Sequence, residues 1–491
     1  MKTKCQIFFK SNFLMCKHIK VKPKNFFCLC LMLVVFCAYT ACNDNDADLQ
    51  GGYDPNAPIV FDDFSPKSGA ARIQCYIRGN NFGTDLSRIH LKIGGVDTKI
   101  IGSTGKEIYC MIPPKAFDGE ISLSFTNADG DTINSYTFPE KFEYKSQRMV
   151  GTIIRQVDEK GKTQGDITGP WDIASVNQMD FMAYQYVPGD HRYAYMGANT
   201  SGVRRLDLDE QTLELVLPFQ HNMMISFAFS AEGDTLFVPD RNYSDDNDQP
   251  NVYYSVRSNN FRKLMPYCYG PSAISVCSHP TEYTFFYLEE KDGTLYKKDA
   301  GPYDPVIGKN KDLSLFNLNA FKKGNLVMNL FVHPSGKYMY LMGSGMPCIL
   351  RSEYNFDTHE FEPPIIFCGN PNSTGYKEST GTDALLGGLN KSGVFAKNPQ
   401  YETKGKEDLY DFYFADPNNH CVRKVTPEGS TSLFAGRGNF NQDGKANGYV
   451  DGDPIEEARF NSPRCITYDP VDDRFYIGDL NNYAVRYIAV E

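Results

Sequence analysis

The sequence predicts an all-β protein with two domains, a small β-sandwich followed by a larger β-propeller. The chain has 491 residues, which is too many for a single hydrophobic core. It contains 31 Tyr and 34 Phe but one Trp, together with many Gly and Asn turn signals, and this composition favours strands. Its C-terminal part repeats itself, which is typical of sheets that pack around an axis.

The charge of the chain argues against a nucleic-acid partner. The formal net charge is -10, and residues 1–41 contain seven Lys and no acidic residue, so the remainder carries -17. A polyanion would be repelled, and no basic stripe offsets this charge. Hydrophobic residues make up 41% and charged residues 22%, which is ordinary globular composition.

Residues 1–41 are predicted to be a signal peptide. Lysines precede an apolar run from Phe26 to Ala38, which is shorter than the roughly 20 residues of a membrane span. The segment Tyr39-Thr40-Ala41-Cys42 resembles the lipobox of bacterial lipoproteins, although Tyr39 stands where the family has Leu. The resemblance implies that Cys42 is lipidated. The alternative is a plain signal peptide with a chance cysteine, and Met15 is an alternative start.

Residues 42–57 are predicted to be the lipid anchor and an acidic linker. Acidic residues dominate the stretch Asn43–Asp48 directly after Cys42. This resembles the surface-export signal of Bacteroidetes-type lipoproteins, which implies a protein anchored in the outer membrane and facing the exterior. A solvated linker is the plainer interpretation of the same residues.

Cysteine usage does not predict a disulfide scaffold or a zinc site. Eight cysteines follow Cys42, and none of them forms a CxxC pair. Most lie in apolar strand-like runs, so we expect small core residues. Cys75 and Cys110 are candidates to face each other in the sandwich, and whether they are bonded is left open.

Residues 58–147 show the pattern of the small sandwich. Short alternating segments are separated by turn signals every 8–12 residues, among them Asp118-Gly119. The predicted strands are Arg72–Ile77, Arg88–Ile93, Glu107–Ile112, Gly119–Phe125 and Lys141–Lys145.

Four ordered motifs in this region carry a family resemblance. They are Phe64–Gly69, Ile77–Gly83, Ile93–Gly95 and Ile108–Pro113. Together they resemble the IPT/TIG family, which implies an immunoglobulin-like sandwich that serves as a spacer or interaction module and has no catalytic residue.

The clearest internal repeat lies at the C-terminus. The segment Phe412–Val425 recurs as Phe475–Ile488, with an Asp, an Asn pair and a Val-Arg pair at the same spacing. The run Phe460–Asp469 precedes the second copy, and a glycine-rich stretch lies between the copies. The pattern resembles the NHL repeat, which implies that residues 148–491 form an NHL-repeat β-propeller.

Weaker copies upstream predict six blades. Their second strands are Tyr193–Met196, Thr235–Pro239, Thr284–Leu288, Tyr338–Met342, Asp411–Ala415 and Arg474–Gly478. Seven blades is the alternative if the stretch Asn355–Pro399 contains another one. The last copy ends after its third strand, so we expect Met149–Val157 to supply the outer strand and close the ring.

We expect ligand-binding residues on the face of the propeller where the innermost strands begin. In the repeat pattern the Pro-led element is the innermost strand, and the loop after the second strand returns to the same face; such loops commonly carry function. The segments expected there are Pro170–Asp172, Pro463–Arg464, Asp240–Asn251, Asp416–His420 and Asp479–Tyr483.

Five side chains of these loops are the candidate ligand-binding residues: Trp171, Arg241, Tyr243, Arg464 and Tyr483. The single Trp is expected at the start of an innermost strand, where its ring would stack on a sugar. A wedge between two blades is the alternative role. The repeated Asp and Asn residues are expected to cap turns rather than touch a ligand.

No metal, cofactor or catalytic residue is predicted. The acidic run Asp240–Asp248 has oxygen ligands for a hard cation, and Asn439–Gly444 partly resembles a calcium loop but lacks the Glu at its twelfth position. Solvated loops are the better interpretation of both. Eight His are scattered singly, and neither GxSxG nor HExxH occurs.

These observations predict a non-catalytic cell-surface protein that binds a polysaccharide or oligosaccharide for uptake, with outer-membrane uptake proteins as possible partners. The resemblance to surface lipoproteins supports this only by analogy. Two alternatives are a propeller lyase or hydrolase acting on a glycan, and a scaffold that binds another protein.

Overall fold

The computed structural model describes residues 52–163, 165–198, 201–218, 226–241, 249–291, 293–298, 312–321, 327–388, 391–438, 440 and 444–491. The chain divides into two compact units, Met1–Lys145 and Ser146–Glu491. The predicted signal peptide and Cys42 lie outside the described residues. Within the described residues no helix is both long and apolar enough to cross a membrane.

Unit 1 is a β-sandwich, as predicted. Its strands are β1 (Val60–Ser65), β2 (Ser68–Gly69), β3 (Gln74–Asn80), β4 (Ile89–Ile93), β5 (Val96–Asp97), β6 (Ile100–Ser103), β7 (Glu107–Met111), β8 (Ile121–Thr126), β9 (Thr132–Thr137) and β10 (Glu143–Tyr144). One sheet has the order β1-β3-β7-β6 and the other β5-β4-β8-β9, while β10 pairs with β2. Alternating apolar residues of both sheets form the core between them.

The predicted Asp118-Gly119 turn lies before β8. Gly119 has a φ of +69°, and a Cβ at this position would lie 1.9 Å from the carbonyl oxygen of Phe142. Both the left-handed backbone and the close approach therefore require glycine.

Cys75 and Cys110 lie directly opposite each other in neighbouring strands of one sheet, β3 and β7. Both are buried, as are the other six described cysteines, and no disulfide forms among these eight. The expectation that the cysteines are small core residues is confirmed.

Unit 2 is a propeller of antiparallel sheets. After β11 (Arg148–Ile154), its first three blades contain β12 (Gly169–Pro170), β13 (Phe181–Gln185), β14 (Tyr193–Ala198), β15 (Gly202–Asp207) and β16 (Thr212–Leu217) in blade 1; β17 (Ala228–Phe229), β18 (Thr235–Pro239), β19 (Pro250–Val256) and β20 (Met265–Tyr269) in blade 2; and β21 (Ala273–Ser278), β22 (Phe285–Glu289), β23 (Thr294–Lys297) and β24 (Leu313–Asn317) in blade 3.

The second half contains β25 (Val327–Val332), β26 (Tyr338–Ser344), β27 (Met346–Asn355), β28 (Glu360–Phe361) and β29 (Ile365–Cys368) in blade 4; β30 (Gly393–Lys397), β31 (Tyr410–Asp416), β32 (Cys421–Val425) and β33 (Thr431–Gly436) in blade 5; and β34 (Pro463–Asp469), β35 (Arg474–Asp479) and β36 (Ala484–Val490) in blade 6. A short helix α1 (Pro399–Thr403) follows β30, and single 3-10 turns span Leu86–Arg88, Arg257–Asn259, Asn319–Phe321, Gly381–Asp383, Pro417–Asn419 and Leu480–Asn482.

Each of the six predicted second strands is the second strand of its own sheet in the described part of the chain. The stretch Asn355–Pro399, which would have held a seventh blade, contributes β28 and β29 to blade 4 and β30 to blade 5. Apolar clusters fill the spaces between neighbouring blades.

The predicted closure of the ring is confirmed. β11 pairs antiparallel with β36 and gives the last sheet the order β11-β36-β35-β34. The innermost strand β34 of blade 6 also contacts β13 of blade 1. The first and last parts of unit 2 are thus joined by backbone hydrogen bonds and by packing.

Candidate functional site

The propeller has two distinct ends. The beginnings of neighbouring innermost strands contact each other: Arg464 Nη1 lies 2.8 Å from Asp180 Oδ1, and the amide of Ile466 donates to Ser392 Oγ at 3.0 Å. The turns after these strands also contact each other, as in the 3.0 Å pair of Arg192 with Asp469. We call the end where the innermost strands begin the upper end and the other the lower end.

Two of the predicted ligand-binding residues, Arg464 and Arg241, form ion pairs at the upper end. Arg464 pairs with Asp180, and the buried guanidinium of Arg241 donates to the Glu290 carboxylate. Burial lowers the pKa of Lys391; Asp180 opposes this shift, whereas Arg464 and Arg241 reinforce it. Arg464 and Arg241 thus lie where the sequence predicted, but each is already engaged by a carboxylate.

The upper-end loops of blades 5 and 6 have the same hydrogen bonds. Asn419 donates to Asp416 at 2.8 Å, and Asn482 donates to Asp479 at 2.7 Å. The next residue in each copy has a left-handed backbone, and Tyr483, with a φ of 51°, is half-buried there. The repeated Asp and Asn side chains thus bond to each other within the upper-end loops, although neither Asp makes a side-chain cap bond to the 3-10 turn that follows it.

The buried arginine of each of the two C-terminal repeats has a structural role that was not predicted from the sequence. Arg423 donates to the carbonyl oxygens of Leu385 at 2.6 Å and Lys377 at 2.9 Å, and its side chain is fully buried. Arg486 likewise donates to Val450 O at 2.7 Å and pairs with Asp479 at 3.0 Å. Each arginine fixes the connector that leads into its blade, and the Val-Arg repeat was the available signal.

The predicted position of Trp171 is wrong. Pro170 belongs to β12, which pairs with β16, so Trp171 lies at the outer edge of blade 1 rather than on an innermost strand. Its indole Nε1 donates to Thr212 O at 3.2 Å, and the ring packs half-buried on the core between blades 6 and 1. Gly169-Pro170 resembles Ser462-Pro463, which precedes an innermost strand, but the innermost strand of blade 1 begins only at Phe181.

Tyr243 and most of the acidic run Asp240–Asp248 lie outside the described residues, as does part of Asn439–Gly444. No cluster of three or more metal-ligating side chains is found in the described part of the chain.

A large cavity extends from the innermost strands of unit 2 to the lower end. Its volume is about 1030 Å³, whereas a cavity in the sandwich measures about 150 Å³. Nine of its described lining residues are aromatic and come from blades 1, 4, 5 and 6; they include Phe181, Phe331, Phe395, Tyr413, Tyr468 and Phe475. A concave, mostly apolar site with few polar groups is the usual form of a small-ligand site.

The aromatic rings between blades 5 and 6 are held at fixed angles. The ring of Tyr413 lies 4.6 Å from those of Phe434 and Phe475, and Tyr468 lies 4.6 Å from Phe475. Phe475 is buried, whereas Tyr468 and Phe434 are half-buried and offer part of their surface to the cavity. Such rings contact a flat apolar ligand face with little loss of side-chain freedom.

Polar groups lie among these rings. Arg148 Nη2 is 2.9 Å from Asp473 Oδ2, and the Tyr468 hydroxyl donates to Asp473 Oδ1 at 3.1 Å. On the side of blade 1, burial and the nearby Asp469 carboxylate raise the pKa of Tyr184 above its ordinary value. The cavity therefore combines apolar ring faces with hydroxyl and guanidinium donors.

The insertion between β30 and β31 forms another wall of the cavity. Asn398 caps α1 by accepting a hydrogen bond from the amide of Gln400 at 3.1 Å. It also donates to Asp411 at 3.0 Å. The cavity was not predictable from a motif, because its lining residues come from four blades. The one available signal was the aromatic residues near the ends of the innermost strands.

Comparison with known proteins identifies the family of unit 1. Residues 59–144 match the family model of the IPT/TIG domain, which confirms the prediction for unit 1. No curated protein sequence matches the chain.

Solved structures match nearly the whole chain. An auxiliary nutrient binding protein from Bacteroides thetaiotaomicron is 31% identical with a TM-score of 0.66, and the match covers 90% of this chain and 100% of that chain. One from Bacteroides ovatus is 30% identical with a TM-score of 0.68 and the same coverage. A third, a candidate phosphatase from Bacteroides thetaiotaomicron, is 28% identical with a TM-score of 0.63 and covers 90% and 99%.

The identity extends over the full length of the first two structures, so the chain belongs to the same family as these auxiliary nutrient binding proteins of Bacteroides.

Proposed function

We propose that this protein is a non-catalytic cell-surface lipoprotein that binds an oligosaccharide or polysaccharide for uptake, and that it binds the sugar in the lower-end cavity. The observation that carries the proposal is the cavity itself, with nine aromatic lining residues and donors at Arg148 and Tyr468. Pyranose rings have apolar faces bordered by hydroxyls, which this combination of groups fits.

The family supports the nutrient-binding part of the proposal. Two members with 31% and 30% identity are auxiliary nutrient binding proteins. The Thr40-Ala41-Cys42 context and the acidic residues after it support a lipid anchor on the outer face of the outer membrane. The sandwich would then act as a spacer, and outer-membrane uptake proteins would receive the sugar.

We also propose that the blades of unit 2 are NHL repeats. Asp416, Asn419 and Arg423 form buried contacts that Asp479, Asn482 and Arg486 repeat in the next blade. These are the residues that carry the resemblance in the sequence.

A binding screen with a matched pair of variants tests the site. The purified chain is examined by affinity electrophoresis and calorimetry against neutral and acidic glycans. Tyr468 and Tyr483 are both half-buried tyrosines of blade 6, at opposite ends. We expect Tyr468→Ala to weaken binding by about tenfold, as loss of one stacked ring does, and Tyr483→Ala to leave it unchanged.

Three outcomes contradict the proposal. Loss of affinity in Tyr483→Ala alone would place the site at the upper end. Failure of every glycan to bind would remove the glycan function. Turnover of a bound glycan, or of a phosphate ester included because of the phosphatase-like relative, would indicate an enzyme.

Lipidation is tested separately with Cys42→Ala. We expect the variant to lose fatty-acid labelling and to leave the membrane fraction. Unchanged labelling and fractionation would contradict the anchor but not the binding site.

A further inference from the structure

We infer that the lower-end cavity selects uncharged sugars and disfavours uronates. The charged side chains of its lining pair with one another, and additional carboxylates lie next to them around Arg192. This inference rests on the proposed function and deepens it. It concerns the chemical class of the ligand, which the family comparison does not specify.

The charged side chains in the described lining of the cavity cancel. They are Arg148, Lys397, Glu402 and Asp473. Arg148 pairs with Asp473 at 2.9 Å, and Lys397 Nζ lies 3.1 Å from Glu402 Oε2. A carboxylate that entered this cavity would therefore find no cation that lacks a carboxylate partner.

Carboxylates outnumber the cation around Arg192, next to the turn between β34 and β35. We call this turn, which includes Asp473, the rim of the cavity. Arg192 contacts three carboxylates, those of Asp209 at 2.6 Å, Asp469 at 3.0 Å and Asp472 at 3.0 Å. Asp469 is fully buried there. With Asp473 nearby in the same turn, a ligand carboxylate would be repelled across a partly desolvated rim.

The donors of the cavity suit hydroxyl groups. The Arg148 side chain is about 30% exposed, and the Tyr468 hydroxyl belongs to a half-buried lining residue. A sugar hydroxyl both accepts and donates, so one ligand can hydrogen-bond to the guanidinium and the phenol without adding charge.

Asp473 is the residue whose charge sets this selectivity. Both of its carboxylate oxygens are used, Oδ2 by Arg148 and Oδ1 by the Tyr468 hydroxyl. Replacing it with Asn keeps an acceptor for these donors and removes one negative charge. Arg148 would then carry an unbalanced positive charge beside the cavity.

The test uses matched neutral and acidic probes on the full chain. Gluco-, manno- and galacto-configured neutral hexasaccharides are each compared with the same compound oxidised at C6 to the uronate. We expect the wild-type protein to bind the neutral member of any recognised pair at least about tenfold more tightly, and this ratio to shrink at high salt because the rim is half-exposed. In Asp473→Asn we expect the ratio to fall by about fivefold or more, because the uronate gains affinity.

Thermal unfolding of Asp473→Asn serves as the folding control. Asp172→Asn is the matched charge control, because it also removes one carboxylate but at an exposed position on the outer edge of blade 1. Equal or tighter binding of uronates by the wild-type protein would overturn the inference while leaving the glycan function intact. An equal change for both probes in Asp473→Asn would overturn the role of Asp473. Absence of binding by every probe would overturn the proposed function, and this inference with it.

Discussion

At the upper end of the propeller the charged side chains are paired with each other, whereas at the lower end aromatic rings surround a cavity of about 1030 Å³. The upper-end arginines Arg241 and Arg464 are each held by a carboxylate. The charged lining residues of the lower end are paired as well, Arg148 with Asp473 and Lys397 with Glu402, but they border an open space between blades. The two ends therefore differ in the space that they leave for a ligand.

The difference concerns what the upper-end loops contact within the protein. In blades 5 and 6, side chains near the upper end hydrogen-bond to the backbone of the segment that leads into the same blade. These side chains are Asp416 and Arg423 in blade 5, and Asp479 and Arg486 in blade 6. The same contacts recur in both blades and hold each connector against its blade. A ligand site in such a fold is better sought where side chains of several blades leave a space.

Loss of a buried upper-end arginine should have the largest effect on stability. Arg486→Met removes a fully buried guanidinium that pairs with Asp479 and Asp451, and it leaves two carboxylates without their cation. We expect the free energy of unfolding to fall by about 3–5 kcal/mol. Denaturant unfolding measures it, with Lys337→Met as the control because its pair with Glu407 is exposed and worth below about 1 kcal/mol. A loss no larger than the control's would show that the upper-end pairs are not structural.

Truncation of Trp171 should have a smaller effect on stability and none on binding. Its ring is half-buried at the outer edge of blade 1 and donates one hydrogen bond to Thr212 O. We expect Trp171→Ala to cost about 2 kcal/mol, less than a fully buried aromatic residue. Calorimetric titration with a bound glycan and thermal unfolding of the same preparation separate the two effects. Weaker sugar binding by the folded variant would place a subsite on the outer edge of the blade.

Asp408, a half-buried carboxylate near the lower end, should make stability depend on pH. Although burial opposes it, hydrogen bonds from His333 and Tyr338 hold the pKa of Asp408 at about 2, below its ordinary 3.8. Because the pKa of Asp408 is lower in the folded than in the unfolded state, its ionised carboxylate stabilises the folded state above pH 3.8. This contribution is lost as the pH falls towards 2. The wild-type protein should therefore lose about 1–2 kcal/mol more than Asp408→Asn between pH 4 and pH 2. Parallel curves for the two proteins would contradict this assignment.

The smallest effect is expected from Arg464→Ala. Arg464 is partly exposed and pairs with Asp180 at the upper end. We expect affinity for a bound glycan to change by less than about twofold, since rim charges of this kind contribute little. A loss of tenfold or more in calorimetry would move the binding site to the upper end and remove the distinction between the two ends.

The sequence predicted the fold closely because the fold depends on local signals. Copies of the repeat placed the second strand of each of the six propeller sheets, and the missing outer strand of the last repeat predicted the closure by β11. The site was less predictable because a cavity is a property of several blades. Tyr184, Tyr413 and Tyr468 come together only after the ring closes. Trp171 was misplaced because Gly169-Pro170 resembles the signal Ser462-Pro463 but lies about a dozen positions before the innermost strand of blade 1, which begins at Phe181. Only the pairing of β12 with β16 reveals this.

The central claim is that the sugar binds in the lower-end cavity. The most direct test measures the fluorescence of a single tryptophan placed at one end of the propeller or the other. Trp171→Phe removes the one native Trp, and Tyr468→Trp or Tyr483→Trp then introduces a fluorophore at the lower or the upper end. We predict that a glycan which binds the wild-type protein shifts or quenches the emission of the Tyr468→Trp protein, with a midpoint equal to the calorimetric Kd, and leaves the Tyr483→Trp protein unchanged. A saturable change in the Tyr483→Trp protein alone would contradict a binding site in the lower-end cavity.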